Sequence, residues 1–310
     1  MGSVDIRDAF FNEICDIASR DKDVIFITAD ADAFGLRRLR KDFPSQFINI
    51  GVAEQNMVAV AAGLALSGKR VFIYAIIPFV TMRCYEHIKV NICSMRLPVT
   101  IVGAGAGLSF GNDGPTHHAI CDIGVMRILP EMTILNPSDS WSAYKCAQVV
   151  YENGGPCYVR LDKGTFPMLY NNGSDISGGV KVIRPLSTVN IISTGFMTHK
   201  AVQIADELAR RSVQVGVIDL LRVKPVNDKL LMELIGNSAR VITIEENSIT
   251  GGIGTILSEI LTDNNSSISL KRIGLPDEQY FVYGSRDWLH RHYKLATADI
   301  TRLIMEEMAC

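Results

Sequence analysis

The sequence has no excess of charge of either sign: 31 Lys and Arg stand against 33 Asp and Glu. That leaves no basic surplus to neutralise phosphates, which excludes nucleic acid and an anionic membrane surface as main partners. No apolar run reaches the roughly 18 residues that a membrane span needs. The N-terminus has no apolar stretch ending in a small-residue cleavage site, so the expected location is the cytoplasm. The seven cysteines (15, 84, 93, 121, 146, 157 and 310) contain no C-x-x-C pair, and no His joins them at a zinc-ligand spacing. They are expected to be reduced, mostly buried thiols, and no metal site is read from this chain. A nicotinamide site is disfavoured too, because the glycines at 103, 105 and 107 lack the G-x-G-x-x-G spacing.

What is present is a globular composition, 47% hydrophobic and 21% charged, which excludes a disordered chain. The length suits two domains. Apolar residues at helical spacing predict a helix over 4–20. Short β-branched runs predict strands over 24–30, 46–51, 70–76, 97–103, 131–139 and 156–161, with helices over 34–43, 53–67, 79–95 and 140–151 between them. This alternation predicts a mainly parallel sheet with helices on both faces. Loops after the strands, at 50–54, 76–80 and 103–118, are where such a sheet binds ligands. A polar, glycine-bearing stretch over 173–187 reads as a linker. The alternation then restarts, with strands over 188–194, 213–220, 240–247 and 267–274 and helices over 198–211, 227–235, 251–261 and 297–308. The expected fold class is therefore α/β in two domains, 1–172 and 188–310, each a mainly parallel sheet flanked by helices.

Three strings carry chemistry. In GVAEQNM (51–57), Glu54 begins a helix, where a carboxylate is favoured by the dipole and satisfies free N–H groups even without a catalytic role. In GNDGPTHH (111–118), an acid and two histidines follow a strand end, types suited to proton transfer near neutral pH, although a solvated loop would look the same. In IEENSITGGIG (244–254), glycines allow a tight strand-to-helix turn whose helix N-terminus can hold an anion.

These strings, with LPEMTILNPSD (129–139), stand in an order and spacing that resemble the C-terminal half of transketolase and of deoxyxylulose-phosphate synthase. The resemblance covers roughly residues 5–305. It implies an aminopyrimidine-binding domain followed by a transketolase C-terminal domain, and thiamine diphosphate with Mg2+ as cofactors. Glu54 matches the family's glutamate, which hydrogen-bonds the aminopyrimidine and activates the coenzyme; the apolar Ala53, Met57 and Val58 beside it would favour a shared proton. Phe79, Met82 and Tyr85, at i, i+3 and i+6 of the helix expected over 79–95, match cofactor-gripping positions, with Met82 where transketolase has an aromatic residue. His117 matches the family's proton-handling histidine and Asp113 its substrate-hydroxyl acid. Arg83, His87, Arg160 and Lys163 are further candidates for substrate contact. Gly105 and Lys163 stand where transketolase has a histidine and a phosphate-binding arginine.

The diphosphate- and magnesium-binding half of transketolase has no counterpart in these residues. The resemblance therefore implies a β-like subunit of a split transketolase, paired with an α-like subunit in an α2β2 heterotetramer. The implied reaction moves a two-carbon ketol unit from a ketose or ketose-phosphate donor to an aldehyde. Two other readings stand beside it: the β subunit of a 2-oxo acid dehydrogenase's decarboxylating component, and a non-catalytic scaffold.

Overall fold

The computed structural model describes residues 4–309; Cys310 lies outside them. The chain divides into two compact units, the first made of the residues through Ala106 with Val125–Ser174, the second of Gly107–Gly124 with the residues from Asp175 onward. Each is an α/β sandwich built on a mainly parallel sheet, as the alternation predicts.

The first unit runs α1 (Ile6–Arg20), β1 (Val24–Thr28), α2 (Leu36–Asp42), β2 (Phe47–Asn49), α3 (Glu54–Leu66), β3 (Arg70–Ile76), α4 (Ile77–Val80), α5 (Tyr85–His87) and β4 (Val99–Ala104). After α6 (Asp122–Ile128) come β5 (Thr133–Leu135), α7 (Ser140–Asn153) and β6 (Cys157–Leu161). Its strands lie in the order β5-β6-β4-β3-β1-β2, and every pair among them is parallel. The β-branched runs of β1, β3 and β4 sit in register, Ile27 beside Ile73 and Ile73 beside Ile101. Parallel strands covered on both faces need such continuous apolar runs. α1 opens with Asp5, whose carboxylate accepts the Arg7 N–H at 2.9 Å. Its stripe of Ile6, Phe10, Ile14 and Ile17 is fully buried, and Phe11 meets Phe26 and Tyr74 edge-on. Each such buried side chain contributes about 1.5–3 kcal/mol of transfer free energy.

The single helix expected over 79–95 is a correction. α4 ends at Val80, α5 is one turn, and a π-helical turn follows over Ile88–Cys93. The Thr81 hydroxyl donates back to the Ile77 carbonyl at 2.6 Å, and the Arg83 N–H donates to Pro78 O at 3.2 Å, a wider turn than an α-helix makes. The i, i+3, i+6 reasoning for Phe79, Met82 and Tyr85 therefore does not hold as one helix face.

The second unit runs β7 (Lys181–Arg184), β8 (Val189–Ser193), α8 (Phe196–Ala209), β9 (Gly216–Asp219), β10 (Arg222–Lys224), α9 (Asp228–Ile235), β11 (Arg240–Ser248), α10 (Ile253–Asp263), β12 (Ser269–Leu275), α11 (Arg286–His292) and α12 (Thr297–Ala309). A five-stranded sheet has the order β12-β11-β8-β9-β7, with β7 antiparallel at its edge. β7 falls inside the stretch read as a linker, hidden there by its half-polar sequence KVIR. The helix α11 was also not foreseen.

The segment after β4 leaves the first unit for the core of the second. Gly107 and Ala119 exchange backbone hydrogen bonds, and the Ser248 and Gly284 N–H groups donate to Ile120 O and Gly111 O. Leu108 is fully buried in the core that holds Ile191, Ile242 and Leu289. Asp113 and His117, expected on a loop of the first sheet, thus belong to the second unit.

Candidate active site

In the first unit, Gly51 turns the chain at φ +74° and α3 starts at Glu54. Ala53, at the cap position, has no side-chain oxygen to offer, so Glu54 supplies the negative charge of the first turn. Glu54 is only 4% exposed. Its surroundings are not solely apolar, as the sequence suggests. Arg83 Nη1 donates to Glu54 Oε2 at 2.9 Å, and the same guanidinium lies 4.2 Å from the centre of the Phe79 ring. Gln55 Nε2 donates to the Arg83 carbonyl at 3.1 Å, tying the loop to α3. The break between α4 and α5 is what turns Arg83 toward α3.

Around this pair, Met82 and Arg83 are exposed, while Phe79, Tyr85 and His87 are half-buried. Burial pushes the Tyr85 hydroxyl above its usual range, with the Cys93 thiol adding to it. Cys84 donates its thiol to the Phe79 carbonyl at 3.2 Å, and burial, helped by the Glu54 charge, pushes it up to about 12. It is a packing thiol, not a nucleophile. Lys163 is exposed beyond β6, with its N–H on the Asp162 carboxylate, and Arg160 is buried within β6. Gly105 takes φ +90° and donates to Leu161 O.

In the second unit, Asp113 is exposed at the end of a 3-10 turn over Gly111–Asp113. His117 is half-buried, its Nδ1 3.0 Å from the Thr116 hydroxyl and its ring edge-on to Phe110. His118, not singled out by the sequence for a role of its own, is 3% exposed. Its Nε2 lies 3.4 Å from Gly111 O and its Nδ1 has no partner. Burial lowers its pKa, and the Gly111 contact only partly offsets this. It is a structural histidine beside the candidate one.

The IEEN string holds two carboxylates with separate tasks. Glu245 accepts the Ile253 and Gly254 N–H groups, each at 2.9 Å, so the N-terminus of α10 is filled by the protein itself rather than left for an anion. Gly252 permits this approach, since a Cβ there would lie 1.8 Å from Glu245 Oε2. Glu246 is buried in a fork with Arg286, whose Nε donates to Oε1 at 2.8 Å, and the same Oε1 also pairs with His290. Burial alone would raise the Glu246 pKa, but Arg286 and His290 outweigh it and hold the carboxyl well below the usual range. Arg286 also stacks 3.6 Å over Phe196. Among the described residues, no three His, Cys, Asp or Glu side chains converge as a metal ion needs.

The transketolase pyrimidine-binding domain family matches residues 2–168, and the transketolase C-terminal domain family matches residues 178–300. The chain belongs to the transketolase family. It is 32% identical over 303 residues to a subunit of the apulose-4-phosphate transketolase of Phocaeicola vulgatus, covering 97% of this chain and 96% of that one. It is also 32% identical to 1-deoxy-D-xylulose-5-phosphate synthase of a Synechococcus species, over 86% of this chain and 42% of that protein, so it spans less than half of such synthases. A solved structure described as a split-gene transketolase, an inactive beta4 tetramer, superposes with a TM-score of 0.87 at 29% identity, covering 98% of each chain.

Proposed function

We propose that this chain is the β-like subunit of a split transketolase that uses thiamine diphosphate, with Glu54 as the residue that activates the coenzyme. The single observation that carries the reading is a buried carboxylate at the start of α3, hydrogen-bonded to a guanidinium that lies against the Phe79 ring. A carboxyl group beside an aromatic face suits an aminopyrimidine, since the protonated carboxyl can donate to a ring nitrogen and the aromatic face offers a surface to stack on. The coenzyme, when bound, supplies the nucleophilic carbon with which a ketose carbon–carbon bond is broken and remade.

The protein's part is positioning and proton transfer. Glu54 holds a proton at the ring nitrogen it faces. Phe79, Met82 and Tyr85 flank the ring, and Arg83 fixes the carboxylate from the open side. His117 moves the proton of the substrate hydroxyl or carbonyl, and Asp113 accepts a substrate hydroxyl. His87 and Lys163 are the residues assigned to the donor's far end, Lys163 as a point charge for a phosphate. The diphosphate and Mg2+ fall to an α-like subunit, in an α2β2 assembly in the cytoplasm. Two relatives support a partner requirement, one named as a single subunit of a transketolase and the other an inactive tetramer of beta chains alone.

The test is to purify the chain with and without an α-like partner and to assay two-carbon transfer from a ketose to an aldehyde. Transfer only with the partner is expected. Robust transfer by the lone chain removes the split assignment, and decarboxylation of 2-oxo acids in its place points to the dehydrogenase reading. A partnered complex with neither activity leaves the scaffold role.

A further inference from the structure

The second unit contains a cavity of about 410 Å³ that the proposed reaction does not use, lined by residues of α8, α11 and the start of α12. Its volume lies in the range of small-ligand sites. We propose that it binds a small phosphate monoester, recognised by the Lys200 ammonium at its wall. Nothing in this assignment depends on the coenzyme or on the partner subunit.

Lys200 is 8% exposed, and its ammonium makes one long contact of 3.5 Å to the Leu295 carbonyl. An ammonium offers three donors, and burying it with so little compensation is costly. Burial accordingly lowers its pKa, with Glu246 and Asp287 opposing. A bound anion removes that penalty. His290 lines the same cavity; its Nε2 is committed to Glu246, while its Nδ1 is buried with no partner. With Nε2–H donated to Glu246, Nδ1 of the neutral ring is an acceptor, which calls for a hydroxyl of the ester rather than its phosphate.

One further feature points to an anion. Arg291 lines the cavity from the exposed end of α11, so among the lining residues Lys200 and Arg291 stand against Asp287; behind them Glu246 is paired with Arg286, and the fixed charge stays positive. α12 begins at this wall with Thr297, and Ala296 before it has no side-chain oxygen to cap the helix. Asp299 stands in its first turn, however, and that carboxylate offsets the positive end of the helix. The size of the cavity exceeds that of a bare phosphate ion, which leaves space for an esterified carbon chain.

The experiment is calorimetric titration of the full chain, without partner, using inorganic phosphate in one arm and a pentose 5-phosphate in the other. The ester is expected to bind at least tenfold more tightly than the ion. Binding should persist in Glu54→Gln and Lys163→Ala, which alter residues of the proposed reaction. It should weaken at least tenfold in Lys200→Met and severalfold in Arg291→Gln. Without ligand, Lys200→Met should melt no lower than the parent, because it removes an under-paired buried charge; a clear loss of melting temperature would show that Lys200 serves the fold instead. If Lys200→Met does not fold, the Arg291→Gln titration decides. No binding, equal binding of ion and ester, or loss of binding in Lys163→Ala overturns the proposal. Because every arm lacks the partner, failure here leaves the transketolase reading untouched, and failure of that reading leaves this one.

Discussion

The proposed reaction rests on single side chains, with Glu54 the first of them. Replacing it with Gln should abolish proton exchange at the coenzyme's reactive carbon in the partnered complex, read by hydrogen–deuterium exchange; an unchanged rate would remove its role. Arg83 makes a subtler prediction. It is 43% exposed, so its pair with Glu54 is partly screened, but Arg83→Ala leaves a buried carboxylate without that bond. A loss of about 1–2 kcal/mol is expected, a fall of roughly 2–4 °C per kcal/mol in melting temperature for a chain of this size. His118 gives a pH dependence. Its folded pKa lies below the ordinary 6.5, so as pH falls past about 6.5 the unfolded chain binds the proton first and stability is lost. Urea midpoints at pH 7.5 and 5.5 should differ less in His118→Gln than in the parent. That Glu54 opens a helix was legible in the sequence. Its bond to Arg83 was not, because the contact spans 29 positions and depends on a helix break.

At the scale of elements, strand and helix order could be read almost throughout, since β-branched runs and helical stripes alternate cleanly. β3 falls where the pattern RVFIYAI predicts it. The failures share a cause, namely side-chain-to-backbone bonds or local turns that periodicity does not register. Thr81 ends a helix whose apolar spacing continues, and β7 is too short and polar to announce itself. The glycine-rich stretch after β4 is explained at this scale too. Gly107 sits at φ +59°, and a Cβ there would lie 1.9 Å from Glu246 Oε2. Gly107→Ala should therefore cost about 2–4 kcal/mol, combining backbone strain with disturbance of a buried ion pair. Gly63→Ala, at a helical site with open space around it, is the control and should be neutral or slightly stabilising. Chemical denaturation of both variants checks the contrast.

Over the whole molecule, the buried Glu246 cluster is expected to contribute to acid sensitivity. A carboxyl held far below its unfolded value contributes stability at pH values above about 4.5, and that contribution is lost as pH falls below it. Glu246→Gln should remove most of the additional loss between pH 5 and 3, measured as unfolding midpoints. Domain order was readable from composition, but the membership of residues 107–124 was not. Nothing local marks a loop as belonging to a core that begins 81 positions further on, at Val189, such as the one Leu108 enters. A truncated chain ending at residue 174 carries that segment without its sheet, and should show exposed apolar surface by dye binding and self-associate on gel filtration.

The same interleaving restricts how such proteins can recombine. A chimera spliced once near residue 175 inherits its 107–124 stretch from one parent and the carboxylate facing Gly107 from the other. Any exchange of halves between relatives must therefore be made at three junctions, or be confined to parents that carry glycine at that contact.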